Sequence, residues 1–366
     1  MHFVKSMAPS YPVTPGHEMV GVATHVGRNV LDVSVGDNVA VGCMVDSCFG
    51  CRSCRASEEQ YCVNGMVLTY GGETKYGRAG PDGRPTHGGF SRRFVANKRF
   101  VFKLPRDADL ARCAPLLCAG ITTYDPLVRL GCAPDAWQFS SPTGRKRVGV
   151  VGLGGLGQMA VKLARSFHCE VVALSTSPGK EKTARDIGAD HFWLTTDRNL
   201  MREKAELAAK APEREAPVHK MQSPGPPPAE TPPAGLVSDP APAGERVGLD
   251  VILDTVSAPH DLDALVDLLA PDGQLVLLGL NEEAFEVSGL KLVFSRKIIR
   301  GSLIGGARRT RECVDYCVGK GIYPEVEIID AGKIGEAMRK LDEKNDRVVR
   351  YVVDCGTIPS AGDAAA

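Results

Sequence analysis

The sequence predicts an α/β protein in which a small β-barrel is followed by a doubly wound parallel sheet. Short valine-rich runs broken by glycine turns fill residues 13–45, which is typical of barrel strands joined by tight turns. From residue 146 onward, apolar runs alternate with amphipathic segments, the pattern of parallel strands covered by helices. With 366 residues, the chain is long enough for two domains that each bury a core.

The parallel sheet is predicted to contain six strands. "KRVGVVG" is a buried strand before the amphipathic helix "LGQMAVKLARSF", and "CEVVALS" is a strand before the helix "PGKEKTARDIG". "DHFWL", "LDVILDTV", "QLVLLG" and "KIIRGSL" supply the other four strands. In the first part, residues 88–105 alternate as a strand does. Residues 309–355 predict two helices and closing strands that return to the barrel.

A proline-rich segment interrupts the second part. Residues 211–246 hold ten of the chain's 25 prolines and few large apolar side chains, so they cannot bury enough surface to offset the entropy of ordering. We therefore predict a disordered insertion at about 203–247, and the alternative is a proline-rich ligand for a partner protein. A smaller insertion is predicted at 133–144 and a flexible tail at 356–366.

Composition excludes several classes of protein. The 44 basic and 44 acidic residues balance, which argues against nucleic acid or an anionic membrane as a partner. The sequence has no uninterrupted apolar run long enough to span a membrane and no secretory signal pattern. In such a chain the 12 cysteines indicate thiols and metal ligands rather than disulfides. We expect a soluble, cytoplasmic protein.

The cysteines crowd into "SCFGCRSCRASEEQYC". Three of them follow at short, equal intervals and a fourth closes a short lobe, a spacing that lets four thiolates enclose zinc. Because four thiolates leave no open coordination position, this zinc site is predicted to be structural. The alternatives are an iron–sulfur cluster or unpaired thiols, and Cys43, just outside the spacing, is interpreted as a packing residue. The predicted ligands are Cys48, Cys51, Cys54 and Cys62.

The segment "GLGGLG" lies between a predicted strand and a predicted helix. Gly152 permits the tight turn, Gly154 lets the backbone approach a pyrophosphate, and Gly157 lets helix and strand pack closely. Since the strand, the helix and a following β-α unit are all present, a dinucleotide site is favoured over a glycine-rich packing turn. The candidate contacts are Gly152, Leu153, Gly154, Gly155, Leu156 and Gly157.

The end of the second strand of this sheet bears on the choice of nicotinamide cofactor. A free ribose 2′-hydroxyl is typically bound there by an acidic residue, and this chain has none. Hydroxyl groups and a cation suit a 2′-phosphate instead, which favours NADP(H) over NAD(H). The competing interpretation makes Lys180 a solvated helix residue. The candidate contacts are Ser175, Thr176, Ser177 and Lys180.

These motifs together resemble those of the zinc-dependent medium-chain alcohol dehydrogenases. The GHE triplet in "YPVTPGHEMVG", the four-cysteine lobe, "LLCAGITTY", "GLGGLG" and "STSPGK" occur in the family's order. "VDSC" and "EEQYC" fit the NADP-dependent cinnamyl alcohol dehydrogenase-like group. The resemblance implies a GroES-like zinc-binding catalytic domain over 1–117 and 309–355, and an NADP-binding Rossmann domain over 118–308.

The resemblance also implies roles for residues that carry no signal of their own. Taken alone, His17, Glu18 and Cys118 are typical of a turn histidine, a surface acid and a buried thiol. By resemblance, His17 and Cys118 are catalytic zinc ligands, and Glu18 is an acid that can approach the metal during ligand exchange. Thr122 lies near the nicotinamide. Residues at strand ends line the cofactor cleft, namely Thr255, Gly279, Ser302, Leu303 and Ile304.

The family has one more catalytic zinc ligand, a cysteine roughly twenty residues before the GHE histidine. None of residues 1–16 is cysteine, so we expect the chain to begin past that ligand. Either the chain is incomplete and its full form is an ordinary enzyme, or it is a short protein with impaired catalysis. Glu18 in place of the missing cysteine would hold zinc more loosely, because a carboxylate is a harder donor than a thiolate.

The activity implied is the interconversion of primary alcohols, aromatic or allylic ones included, and aldehydes with zinc and NADP(H). One alternative is a dehydrogenase of polyols or secondary alcohols, and another is an NADP(H)-binding protein without turnover. The partners expected are a small alcohol or aldehyde substrate and a second copy of the chain in a homodimer.

Overall fold

A computed structural model describes residues 11–78, 81–133, 145–209, 248–342 and 350–360. The first part of the chain forms two small antiparallel sheets. One has the strand order β1-β2-β5 and the other is the pair β3-β4. The five strands are Met19–Val22 (β1), Asn38–Val41 (β2), Met44–Asp46 (β3), Val67–Leu68 (β4) and Val101–Lys103 (β5).

The strand predicted over 88–105 is wrong for most of its length, since only β5 forms there. Residues 88–90 instead donate their backbone N–H groups to the carbonyls of residues 14–16, over distances of 2.6 to 2.9 Å. A Cβ at Gly88 would overlap the carbonyl of Pro15, so glycine is needed at this crossing. The contact anchors the segment that leads into His17.

The second part is the predicted six-stranded parallel sheet, with the order β11-β10-β9-β6-β7-β8. In this order the first three strands along the chain run outward on one side and the next three on the other, which is the doubly wound arrangement. β6 and β9 lie at its centre and are almost entirely buried. The strands are Arg147–Val151 (β6), Glu170–Ser175 (β7), His191–Leu194 (β8), Leu249–Asp254 (β9), Leu269–Leu277 (β10) and Ile298–Gly301 (β11).

Helices cover both faces of this sheet, and a parallel pair of strands follows it, Val326–Asp330 (β12) and Arg350–Asp354 (β13). The larger apolar core joins the sheet to the helices Ala119–Arg129, Gly155–Ser166 and Ala307–Lys320, and it extends to barrel residues such as Phe100 and Phe102. The described helices do not include one that is both long and apolar enough to cross a membrane. They are Arg52–Arg55 (α1), Leu110–Cys113 (α2), Ala119–Arg129 (α3), Gly155–Ser166 (α4), Glu181–Asp186 (α5), Arg198–Ala209 (α6), Leu262–Asp267 (α7), Gly289–Val293 (α8), Ala307–Lys320 (α9) and Ile334–Asp342 (α10).

Two predicted boundaries are wrong. The prediction of disorder is wrong for residues 203–209, because α6 continues to Ala209, with Ala208 buried and Ala205 packed against the second apolar cluster. The prediction of a flexible tail is wrong for residues 356–357, since Cys355–Thr357 form a 3-10 turn and the Thr357 hydroxyl accepts a bond from Ala331 N–H at 2.8 Å. Residues 210–247, 134–144 and 361–366 lie outside the described residues.

Candidate active site

The four-cysteine lobe brings its predicted ligands together. The sulfur atoms of Cys48, Cys51, Cys54 and Cys62 all lie within 4.8 Å of one another. Cys48 Sγ and Cys54 Sγ are 3.9 Å apart. Tetrahedral zinc with bonds of about 2.3 Å to sulfur holds its sulfur ligands about 3.8 Å apart. The lobe therefore fits a zinc ion of the structural kind.

The surroundings of the lobe favour the thiolate forms of two of its cysteines, Cys48 and Cys51, even without a metal ion. The side chain of Asn64 and the Gly50 N–H lower the pKa of Cys48 to about 6. The N–H groups of Cys54 and Val63 lower the pKa of Cys51. Burial raises the pKa of Cys54 to about 12, so its proton leaves only when a cation takes its place.

The lobe also supports the chain after β11. The Tyr61 hydroxyl accepts a hydrogen bond from Leu303 N–H at 3.0 Å, and the Glu59 carboxylate accepts one from Ala307 N–H at 3.0 Å. A Cβ at Gly306 would overlap the carbonyl of Ser57, so the two backbones touch. The lobe thus fixes the segment that begins with Leu303 and Ile304, two of the predicted cofactor contacts.

A second cluster contains two of the residues assigned to catalysis by resemblance. His17, Cys43 and Cys118 offer ligand atoms that all lie within 4.8 Å of one another, and all three residues are partly buried. They come from the loop before β1, the turn between β2 and β3, and the start of α3. Cys43 gave no metal-ligand signal in the sequence, because its partners are distant along the chain. Glu18 lies beside the cluster but outside this set.

Charges and hydrogen bonds within the cluster shift the pKa values of its members. A hydrogen bond from the Cys43 thiol, with help from His17 and Arg350, holds the pKa of Cys118 well below its usual value despite burial. The pKa of Cys43 is raised well above its usual value by the same bond and by burial. Burial lowers the pKa of His17, but the Cys118 thiolate and Glu18 outweigh it and raise this pKa. The lowered pKa of Cys118 makes a thiolate available beside the His17 ring, and thiolate sulfur and histidine nitrogen are donors that zinc prefers.

Glu18 and Arg350 connect this cluster to the glycine loop. Burial raises the pKa of Glu18, and its Oε1 has no hydrogen-bond partner among the described residues. The Arg350 Nη1 atom lies 3.8 Å from that oxygen. The same guanidinium lies within 3 Å of where a Cβ of Gly155 would be, and its buried Nε donor has no acceptor among the described residues. Arg350 has no recognisable motif, so sequence analysis missed it.

The glycine loop has the geometry that its predicted role requires. Gly152 has φ +84°, a conformation that favours glycine. A Cβ at Gly157 would overlap the carbonyl of Gly152, so this glycine permits the close packing of α4 against the strand. A Cβ at Gly154 would meet no atom within 4 Å, which leaves the backbone open at the N-terminus of α4. Such a helix terminus attracts anions.

The other predicted cofactor residues lie at or after the carboxyl ends of the sheet strands, except Thr122, which lies in α3. Ser175 ends β7, and its Oγ accepts a bond from Ser177 N–H at 3.2 Å. The Thr255 hydroxyl, just after β9, donates to the Val151 carbonyl at 2.8 Å. Thr122 is one turn beyond Cys118, to whose carbonyl it donates its N–H at 2.9 Å. The remaining members follow strands β7, β10 and β11, namely Thr176, Lys180, Gly279, Ser302, Leu303 and Ile304.

Known proteins resemble this chain over most of its length. The model of the alcohol dehydrogenase GroES-like domain matches residues 1–106, and the model of the zinc-binding dehydrogenase family matches residues 155–318. The chain is 37% identical over 347 residues to probable cinnamyl alcohol dehydrogenase 6 of Oryza sativa subsp. japonica, covering 94% of this chain and 81% of that protein. It is 38% identical over 363 residues to NADP-dependent alcohol dehydrogenase C 1 of Mycolicibacterium smegmatis, covering 98% and 87%.

A solved structure agrees with these relatives. The structure of CAD from Helicobacter pylori, complexed with NADP(H), superposes with a TM-score of 0.72 at 31% identity, covering 95% of this chain and 83% of that one. The matches extend over both the barrel part and the parallel sheet, and the identity to each curated relative exceeds a third of the aligned residues. The chain therefore belongs to the zinc-binding medium-chain alcohol dehydrogenase family.

Proposed function

We propose that this chain interconverts primary alcohols and aldehydes, aromatic or allylic ones included, by hydride transfer with zinc and NADP(H). The observation that carries the proposal is the position of Arg350. This one side chain lies 3.8 Å from Glu18 beside the metal-type cluster and also against Gly155 of the glycine loop. A metal site and a nucleotide loop joined by one guanidinium are close enough to serve one reaction.

The chain's residues fit the roles proposed for them. His17 and Cys118 would hold a zinc ion, which would supply Lewis-acid polarisation of an alcohol or carbonyl oxygen, and bound NADP(H) would supply the hydride chemistry. Glu18 is partly buried beside this cluster, and its Oε1 has no hydrogen-bond partner among the described residues. Burial raises its pKa, and a bound cation would favour its charged form. Cys48, Cys51, Cys54 and Cys62 hold the structural zinc. The same proposal divides the chain into catalytic segments 1–117 and 309–355 around a cofactor domain, 118–308.

The preference for NADP(H) rests on the end of β7. Ser175, Thr176, Ser177 and Lys180 offer hydroxyls and a cation to a 2′-phosphate, and no acidic side chain stands among them. The similarity to an NADP-dependent alcohol dehydrogenase and to a structure complexed with NADP(H) supports this preference. Thr122 lies in the first turn of α3, one turn after Cys118, and is proposed to lie near the nicotinamide.

The proposal is tested by the reduction of cinnamaldehyde, followed through nicotinamide absorbance. We expect turnover with NADPH and slower turnover with NADH. Oxidation of mannitol or a secondary alcohol with NADP⁺ should be slower than turnover of cinnamaldehyde with NADPH. Treatment with a strong chelator should abolish the activity. Nucleotide binding without turnover of any alcohol or aldehyde would identify an NADP(H)-binding protein instead. Preference for mannitol or a secondary alcohol would identify a polyol or secondary-alcohol dehydrogenase.

Replacing Arg350 by alanine is expected to raise the KM for NADPH roughly 10- to 100-fold, the worth of one or two bonds from a charged donor to phosphate. The buried Nε donor has no acceptor among the described residues and lies at the glycine loop, so a phosphate oxygen would satisfy it. Arg339→Ala, on the exposed side of α10, is the control and should leave this KM unchanged. An unchanged KM in Arg350→Ala would contradict the assignment.

We also propose a homodimer formed through the edge of the parallel sheet, in the cytoplasm. β11 pairs only with β10 among the described strands, and such an edge can pair with another copy. Beside it lie exposed apolar side chains, with Leu290, Val293 and Phe294 exposed to 68%, 74% and 84%. A patch of this kind marks an interaction surface.

The dimer is tested by Phe294→Asp, which places a charge in the proposed interface. We expect the wild-type chain to sediment as a dimer and the variant as a monomer, by analytical ultracentrifugation. Leu31→Asp, at a residue 92% exposed and outside this sheet, is the matched control and should remain dimeric. A dimeric Phe294→Asp, or a monomeric wild type, would argue against this interface.

A further inference from the structure

We propose that Cys43 is a protein ligand of the catalytic zinc, completing with His17 and Cys118 a site of two thiolates and one imidazole. This inference rests on the proposed function and deepens it, since it names the third donor of the same site. The three donor atoms all lie within 4.8 Å of one another, a limit that the four-cysteine lobe also meets.

The backbone around Cys43 is fixed by one buried residue. The Thr69 hydroxyl donates to the Gly42 carbonyl at 2.5 Å, and the Thr69 N–H donates to the Cys43 carbonyl at 3.0 Å. Thr69 is only 1% exposed, so these bonds are protected from water. The turn between β2 and β3 therefore presents the Cys43 side chain from a rigid support, as an effective metal ligand requires.

The turn lies directly against the start of α3. A Cβ at Gly42 would approach the Leu117 carbonyl to 3.2 Å, which is tighter than ordinary contact, so glycine allows the approach. The Cys43 Sγ atom lies 3.6 Å from the same carbonyl oxygen. Because Cys118 follows Leu117 directly, this contact holds the two sulfur atoms side by side.

The donor chemistry selects zinc and leaves room for a substrate. Two sulfur donors and an imidazole nitrogen suit zinc, whereas magnesium and calcium prefer oxygen. Three protein ligands leave the fourth tetrahedral position open, as in catalytic zinc sites. Glu18 lies outside the set of mutually close donors, so Cys43 fits the third position better than the carboxylate does.

Packing alone does not account for Cys43. Other cysteines of the chain do pack in the core, such as Cys313 and Cys317, each 0% exposed within α9. Within the described part of the chain, metal-type groups of at least three side chains form at only two places, and Cys43 belongs to one of them. Cys43 thus differs from the core thiols in having both an imidazole and a second sulfur as close neighbours.

The test is zinc content by elemental analysis after dialysis against a graded series of chelator concentrations, for the wild-type chain and Cys43→Ala. We expect two zinc ions per wild-type chain, and one in Cys43→Ala at chelator concentrations that leave the wild type intact. The affinity for the second zinc should fall by more than about 100-fold, since loss of an outer partner of a ligand alone costs roughly 10- to 100-fold. Cys355→Ala is the matched control, because Cys355 is also partly buried and its Sγ atom also lies close to a carbonyl oxygen, that of Gly89.

A spectroscopic readout separates ligation from a general loss of structure. With cobalt(II) in place of zinc, Cys43→Ala should lose part of the sulfur-to-cobalt charge-transfer absorption, and the zinc retained in the four-cysteine lobe reports that the variant has folded. Cys43→Ala with two tightly held zinc ions and unchanged cobalt spectra would overturn the inference while aldehyde reduction upholds the proposed function. A wild type that holds one zinc and reduces no aldehyde would overturn both.

Discussion

Replacing Cys54 by serine is expected to abolish cooperative folding of the catalytic part of the chain. Cys54 Sγ lies 3.9 Å from Cys48 Sγ in the four-cysteine lobe. Structural zinc in comparable small sites contributes on the order of 10 kcal/mol to folding, as much as the whole stability of many domains. The zinc content should show that the variant lacks the lobe zinc. Thermal unfolding monitored by circular dichroism should show that it also lacks a native-like unfolding transition.

The matched control is Cys317→Ser, which makes the same exchange at a fully buried thiol outside both clusters. Burial of a poorly bonded hydroxyl there costs about 1–3 kcal/mol, so this variant should lower the melting temperature and keep its zinc. The prediction fails if Cys54→Ser keeps its lobe zinc and melts where the control does.

Replacing Cys118 by alanine is expected to lower kcat/KM for aldehyde reduction about 1,000-fold and to leave the fold intact. The hydrogen bond from Cys43 keeps the pKa of Cys118 well below its usual value, so Cys118 is the cluster's ready thiolate. Metal-ion stabilisation of charge in the transition state is worth several kcal/mol, and about 4 kcal/mol corresponds to this loss of rate.

Steady-state kinetics with NADPH and an aldehyde, run beside zinc analysis, test this prediction. Cys113→Ala removes a buried thiol one helix earlier in the chain and serves as the control, with activity within a few-fold of wild type. Cys118→Ala should keep the lobe zinc and the unfolding transition of the control. Retention of more than about a tenth of wild-type kcat/KM would show that Cys118 is not needed at the reacting centre.

The parallel sheet and two motifs could be predicted because their signals are local. Buried strands, amphipathic helices, the "GLGGLG" turn and the cysteine spacing are each complete within a few tens of residues. The six strands were identified correctly, and their observed order is the doubly wound one. The end of α6 was missed because the proline-rich composition after it obscured a helix that continues to Ala209.

The parts that could not be predicted depend on contacts between distant segments. Cys43 has no ligand spacing, and only the folded chain brings it beside His17 and Cys118. Arg350 begins β13, far along the chain from Glu18 and Gly155, yet it contacts both residues. Residues 88–105 alternate as a strand does, but the backbone donors of residues 88–90 bond to residues 14–16. In each case tertiary geometry decides what a single sequence leaves open.

The contacts of the four-cysteine lobe with the chain after β11 have a thermodynamic consequence. Glu59 and Tyr61 hold Ala307 and Leu303 at 3.0 Å, on the segment proposed to line the cofactor cleft. If zinc in the lobe stabilises this wall, nucleotide must in turn tighten the zinc by the same factor, because binding linkage is reciprocal. The affinity for NADP(H) would then depend on whether the structural zinc site is occupied. Saturating nucleotide would in turn protect the zinc in the lobe from chelators.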